Sequence, residues 1–508
     1  MNITYAYDNR DRVSSITGNT KTTSFGYDAA SRRTSATWPN TSTASYGYDS
    51  ANQLTNLIHK TSGGGTIASF AYRYDANGNR TNLVTQEGSF LFNYDAANWL
   101  VAATYPGNRT QYFDYDDVGN RTNLVDITGT TTNYTKATYN AANRLLSSVA
   151  AAVPGGSGVT NTFVYDAAGR LTNQVVGTRN RWHGYDFRSQ MRSLTDTNTT
   201  AYAYEFDGDG NRRKETIAGT TKKFIYDGPN MLMELNNANG IEALYIHGPG
   251  IDQPIEKISY VGGAADGRFV YHSDALGSVA AITDELQATV RTYTYEAFGK
   301  LRATTGTGPV GGNRFTYTGR EPLGDSGALY YYRWRVMDPN VGRFTSEDPL
   351  GFADGVNVYA YVSSNPIGNL DPYGLQSWNT PPGPPWGNTP PQLPTFPQPV
   401  VNPNTPPGTI GCGIAAAFAG LCGAVESTAL NWVFDQAKQK CASQSPSSIV
   451  NCGCCVVSYC KKLMPGGYVY SQPNGVYVNK PCSEASQMFF ISASCPSGSI
   501  PATYFLPW

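Results

Sequence analysis

Two tetrapeptides of one pattern, Asp348-Pro349-Leu350-Gly351 and Asp371-Pro372-Tyr373-Gly374, each set a carboxylate ahead of a proline-fixed turn. Taken singly, D-P-x-G is ordinary turn punctuation, because proline presets the backbone and aspartate caps the turn amides. Taken as a pair, the residues offer chemistry. Two carboxylates that share a site cannot both ionise cheaply, so one keeps its proton and polarises a carbonyl while the charged one activates water. The run Asn357-Val358-Tyr359-Ala360-Tyr361-Val362 between them alternates and reads as a strand, and Ser364-Asn365-Pro366 reads as a breaker. A strand followed by a turn would return the chain and bring the carboxylates together.

The elements that must position this pair are announced by a repeat. Tyr-Asp pairs occur at Tyr7-Asp8, Tyr27-Asp28, Tyr48-Asp49, Tyr74-Asp75, Tyr94-Asp95, Tyr115-Asp116, Tyr165-Asp166, Tyr185-Asp186 and Tyr226-Asp227, with variants Tyr139-Asn140 and Phe206-Asp207. Successive members keep a nearly constant spacing, in the range that marks an array whose units bury their faces against neighbours. Each unit reads as a β-hairpin: an alternating run such as Thr162 to Tyr165, a turn over Asp166 to Arg170, and a return from Leu171. The glycine in Asp75-Ala76-Asn77-Gly78-Asn79-Arg80 suits a left-handed turn position, and the aspartate can bond the turn backbone. The Tyr-Asp signature is therefore turn and packing chemistry. A ladder of tyrosines that stacks on glycans uses the same residues and is the competing reading.

After residue 230 less regular units follow: Tyr271-His272-Ser273-Asp274-Ala275-Leu276-Gly277-Ser278, Tyr295-Glu296-Ala297-Phe298-Gly299-Lys300, Phe315 to Glu321, and Leu329 to Pro339. Together with the double D-P-x-G, residues 1 to 375 resemble the RHS (rearrangement hotspot) or YD-repeat family and its RHS-associated core. The resemblance implies a β shell that encloses the chain's own C-terminal polypeptide, often a toxin. It also implies an aspartyl-protease-like pair, here Asp348 and Asp371, cutting after the leucine of the second motif, which makes Leu375–Gln376 the bond at risk. The family further implicates an upstream arginine. Arg335 fits that place by spacing and Arg343 is the reserve, although Arg335-Val336-Met337-Asp338 departs from the aromatics the family commonly carries before this aspartate. His272, with no nucleophile near it in sequence, reads as a packed or hydrogen-bonded strand histidine.

Composition separates the two ends of the chain. Lys plus Arg number 37 against 38 Asp plus Glu in 508 residues, which gives no electrostatic argument for nucleic acid as a partner. Richness in Gly, Tyr, Thr and Asn with low charge predicts a mostly β protein. All nine cysteines lie between 412 and 495, and all four histidines precede residue 338. Residues 381–407 hold twelve prolines and read as an extended spacer. Residues 409–425 are uncharged and apolar and predict a helix or helix pair, but Gly411, Gly413, Gly420 and Gly423 make so short a stretch a marginal membrane span. The crowded Cys452-Gly453-Cys454-Cys455 and Cys460 lack histidine, so a disulfide-stapled module is expected over a zinc site, with one thiol left over. Between Gln376 and Trp508 there are only three acids and no His or Arg, too few groups for most enzymes.

These readings converge on a mostly β chain: a YD-repeat array over 1–235 forming a partial hollow shell, an RHS-associated core over 236–375, a Pro-rich linker over 376–408 and a Cys-rich cargo over 409–508. No cofactor and no metal are called for. The expected function is an exported shell that cuts itself after Leu375 to release a toxin-like segment, and any enzymatic activity is limited to that cut. Its partners would be its own C-terminal segment, a second shell subunit or further N-terminal chain, and a secretion machinery. Met1 leads directly into a repeat with no signal peptide, so the start reads like the middle of a repeat array, and a secreted or cell-surface destination is compatible with the chain being a fragment of a longer protein. The alternative is a non-processing surface adhesin that binds carbohydrate.

Overall fold

In the computed structural model the Tyr-Asp units from Tyr7-Asp8 to the variant Phe206-Asp207 close through local hydrogen bonds. Asp75 Oδ1 accepts the backbone N–H groups of Asn77 and Asn79, both at 2.9 Å. The same two bonds recur at Asp49, Asp95, Asp186 and Asp207. The residue three past the aspartate sits at positive φ, +85° at Gly78 and +64° at Asn52, which is why glycine or asparagine recurs there. At the tyrosine the strand register slips, for example between Arg73 and Tyr74. This bulge accompanies a hydroxyl that donates to a carbonyl at the start of the preceding unit's return strand. Tyr27 reaches Val13, Tyr48 reaches Arg33, Tyr74 reaches Leu54 and Tyr94 reaches Arg80, each at 2.8 Å. Aspartate therefore makes the turn, and tyrosine ties one hairpin to the next.

The structure describes residues 2–197, 201–324 and 329–379, and the backbone of strands Cys455–Lys461, Ser486–Ala493 and Ala502–Thr503. Among these, twenty-eight strands from Ile3–Tyr7 to Leu301–Thr305 each pair antiparallel with the next, so the sheet is one continuous meander. The protein is mostly β, as its composition predicts. The chain divides into two units, Met1–Pro391 and Gln392–Trp508, and the described part of the second is a three-stranded antiparallel sheet. The expected helix pair, proline spacer and disulfides lie outside the described residues.

The sheet curves until early strands face late ones. Phe25, Trp38, Leu54, Leu57, Phe70 and Tyr72 share one apolar cluster with Ile246, Ile255, Val270 and Ala275. His272 is buried at this junction; its Nε2 lies 2.9 Å from Thr283 Oγ1 and its Nδ1 lies 3.3 Å from His59 Nδ1. It is a packed, hydrogen-bonded residue. A cavity of about 490 Å³, lined among others by Phe70, Phe90, Tyr105, Tyr293 and Tyr317, remains between the layers. That volume is in the range of small-ligand sites and far below a folded domain.

Residues 317–375 run along the row of YD turns. Their own sheet is short, Glu321–Leu323, Leu329–Tyr332, Arg335–Asp338 and Arg343–Phe344. It is held by contacts to turn backbones: Tyr359 OH donates to Gly169 O at 2.7 Å, Tyr331 OH to Gly210 O at 2.9 Å, Tyr330 OH to Gly299 O at 2.9 Å, and Arg343 Nη2 to Asn143 O at 2.5 Å. Each accepting carbonyl belongs to the positive-φ residue of a turn, so the turns supply the core with a set of backbone anchors.

The expected strand over Asn357 to Val362 is not formed. Ala360 makes only an isolated bridge to Arg343, and a 3-10 turn over Val362–Ser364 follows, with φ of +47°, +50° and +57° at its three residues. The reason is tertiary: Tyr359 and Tyr361 are both drawn inward, the first to Gly169 and the second to the Tyr332 hydroxyl at 2.8 Å. These anchors outweigh the strand preference of an alternating run.

Candidate functional site

The two D-P-x-G turns come together, and one guanidinium joins them. Arg335 Nη2 lies 2.9 Å from Asp348 Oδ2 and 3.2 Å from Asp371 Oδ2. Its Nε donates to Gly374 O at 2.5 Å and its Nη1 to Val358 O at 3.1 Å, while the guanidinium carbon stands 3.6 Å above the Phe344 ring centroid. Arg335 enters from the strand Arg335–Asp338, and buried Phe344 is on its neighbour. All three nitrogens of this side chain are thereby directed, which a flexible ammonium would not achieve. Arg343 points elsewhere, to Asn143 and Asn120 of the shell.

The remaining oxygens bind backbone. Asp348 Oδ1 accepts the Leu350 N–H at 2.8 Å. Asp371 Oδ1 accepts the N–H of Leu375 at 2.9 Å and that of Gln376 at 3.1 Å. The second of these is the nitrogen of the Leu375–Gln376 peptide. Leu375 is buried and Gln376 is exposed, so the chain leaves the core at this bond.

Burial raises the Asp348 carboxyl to about 6, against the opposing pull of Arg335 and the Leu350 amide. It raises Asp371 as well, against Arg335 and the Leu375 and Gln376 amides. Both carboxyls are also pushed upward by a third acid, Asp354. Sequence reasoning did not single out Asp354, and nothing in its local pattern marks it. It ends the 3-10 turn Gly351–Asp354, and its Oδ2 accepts both the N–H of Ser377 at 2.9 Å and the Ser377 hydroxyl at 2.6 Å.

The second turn is the less tolerant of the two. Gly374 has φ of +68°, and a Cβ there would fall 2.6 Å from Tyr332 O and 3.1 Å from Arg335 N, whereas Gly351, at +64°, faces open space. Left-handed strain is common to both positions, but steric overlap is confined to one. Gly374→Ala is expected to destabilise the protein by about 2 kcal/mol more than Gly351→Ala, read as the difference in denaturant midpoints. Equal midpoints would contradict the packing described.

No group of three or more His, Cys, Asp or Glu residues suited to a metal occurs among the described residues, and no described helix is long and apolar enough to cross a membrane.

A curved YD-repeat sheet whose turns anchor a buried core defines the class: this is a YD-repeat β shell. Residues 1–213 match the Teneurin YD-shell family. Over 292 residues it is 29% identical to the tRNA nuclease WapA of Bacillus subtilis, covering 56% of this chain and 12% of that protein. Over 343 residues it is 28% identical to double-stranded DNA deaminase toxin A of Burkholderia cenocepacia, covering 60% of this chain and 22% of that protein. Among solved structures the fold is shared with a Photorhabdus luminescens Tc holotoxin pore, with a TM-score of 0.56 and 16% identity over 74% of this chain and 20% of the other. A TcdB2-TccC3 structure is similar at a TM-score of 0.56, 18% identity, 73% of this chain and 21% of the other. The matched region thus spans less than a quarter of the length of each of these relatives.

Proposed function

We propose that this protein is part of an exported RHS-type toxin shell that cuts itself between Leu375 and Gln376 and so frees its Cys-rich C-terminal segment as cargo. The observation that carries the reading is the contact of Asp371 Oδ1 with the Gln376 amide inside an Arg335-bridged carboxylate pair. Asp371 stands beside the leaving nitrogen and serves as the acid; Asp348 serves as the base. Ionised Asp348 takes a proton from water as the oxygen adds to the Leu375 carbonyl carbon. Protonated Asp371 gives its proton to the Gln376 nitrogen, the C–N bond breaks, and the pair still holds one proton, now on Asp348. Arg335 holds the two oxygens close to its own charge and keeps one carboxylate ionised. One relative named as a toxin and one named as a nuclease support the cargo reading. The repeat array is short for a closed shell, in keeping with the short share of each relative matched. Further N-terminal shell, or a partner subunit, would complete it, and a secretion machinery would export it.

Purified protein is expected as two fragments, one ending at Leu375 and one beginning at Gln376, that co-elute in native size exclusion and separate in denaturant. Intact mass and chromatography report this directly. A single uncut chain after prolonged incubation in the folded state would instead favour a non-processing adhesin.

A further inference from the structure

Three consecutive amides around the cut are held by two carboxylates. Asp371 takes the N–H groups of Leu375 and Gln376, and Asp354 takes that of Ser377 together with its hydroxyl. The arrangement has an internal correspondence: Asp354 is six residues past Asp348, and Ser377 is six past Asp371. One turn thus carries both a reacting carboxylate and the group that grips the far side of the bond. Upstream of the cut the chain is fixed by buried Leu375 and by the Arg335–Gly374 bond. Downstream, Gln376 is exposed, and fixation falls to Ser377 and to the short pairing of Asn369–Leu370 with Trp378–Asn379.

We infer that Asp354 is a positioning residue of the self-cleavage site: by clamping Ser377 it holds the leaving segment so that the Gln376 nitrogen stays against Asp371. This rests on the cleavage reading above. Hydrolysis requires the nitrogen to meet its proton donor while the carbonyl carbon meets water, and a leaving segment that swings about the Leu375 backbone satisfies both conditions only part of the time. Two bonds into one carboxylate oxygen define direction as well as distance, and a charged acceptor makes them stronger than neutral ones. Asp354 also places negative charge near the pair, which favours retention of the shared proton. Position and charge are separable. An asparagine keeps an oxygen for the Ser377 N–H but carries no charge, and an alanine keeps neither.

The test follows newly made full-length chain in cell-free translation, with products resolved by intact mass over time and pH. Asp354→Ala is expected to slow cleavage by about 10- to 100-fold, and Ser377→Ala, which loses only the hydroxyl bond, by about 3-fold. Asp354→Asn is expected to recover most of the rate at its own optimum, with that optimum moved to lower pH because the pair holds its proton less tightly. Asp354→Asn as slow as Asp354→Ala at every pH, or an unmoved profile, would overturn the assignment. Cleavage of Asp354→Ala at the unaltered rate would overturn it while leaving the carboxylate pair intact. Unaltered chain that never cuts would remove the cleavage reading itself.

Discussion

Asp348→Asn and Asp371→Asn should each leave a single uncut chain under conditions in which the unaltered protein yields fragments divided between Leu375 and Gln376. Each substitution keeps the size of the side chain and much of its hydrogen bonding; in Asp371→Asn the carboxamide oxygen would still accept the two backbone N–H groups. What is lost is the shared proton. A carboxamide neither takes a proton from water nor gives one to the departing nitrogen, so a rate loss of at least about 10³-fold is expected. The pH profile carries an independent check. In the proposed mechanism the pair works with one proton between its members, and burial raises both, Asp348 to about 6. Cleavage should therefore run faster near pH 6 than at pH 8, falling about tenfold per unit above the upper apparent value. A rate that climbs steadily with pH would exclude this pair as the machinery.

The second large effect is expected far from the cut. Arg314→Met should destabilise the shell by about 3–5 kcal/mol. Arg314 Nη2 lies 2.8 Å from Glu215, its Nε 3.0 Å from Glu234 and its Nη1 3.5 Å from Glu321, and its guanidinium stacks on Phe224. Arg212 also pairs with Glu215 and Glu321, and Lys222 with Glu234. Burial by itself would raise Glu215 and Glu234, but Arg314, aided by Arg212 and Lys222 respectively, outweighs it and holds both carboxyls below the usual range. Such depressed groups contribute stability above the unfolded carboxyl value near 4.5, lost as pH falls through the folded one. In the variant the balance reverses, the folded carboxyls rise, and the folded state binds protons more readily than the unfolded chain. The deficit should accordingly be full at pH 7 and shrink on acidification toward pH 5, as read from denaturant midpoints at the two pH values. A deficit independent of pH would show that the loss comes from packing on Phe224 and not from stranded charge. Because Glu215 and Glu234 sit in the shell wall and Glu321 in the core, the network joins the two.

The two predictions draw on parts of the chain that differ in how far the sequence reveals them. An aspartate, a glycine or asparagine three residues on, and a preceding tyrosine determine a YD turn by themselves, because every bond in the turn is local. Hairpins at a fixed period then determine a meander. The D-P-x-G pair is legible as two carboxylate turns, and the resemblance to the RHS-associated core is what points to Asp348, Asp371, Leu375 and Arg335 as a site. Tertiary structure alone decided the rest. Asn357 to Val362 alternates like a strand yet turns, because buried Tyr359 and Tyr361 find partners at Gly169 and Tyr332 that no local pattern encodes. Which arginine lies beside the carboxylates depends on which strand faces them: Arg335 pairs with Asp348, whereas Arg343 is drawn to the shell turns at Asn120 and Asn143. Asp354 and Ser377 are distant in sequence and meet only because the core stacks one turn on the other. The curvature that brings Trp38 and Phe70 against Val270 accumulates strand by strand from sheet twist, and it too appears in no single repeat.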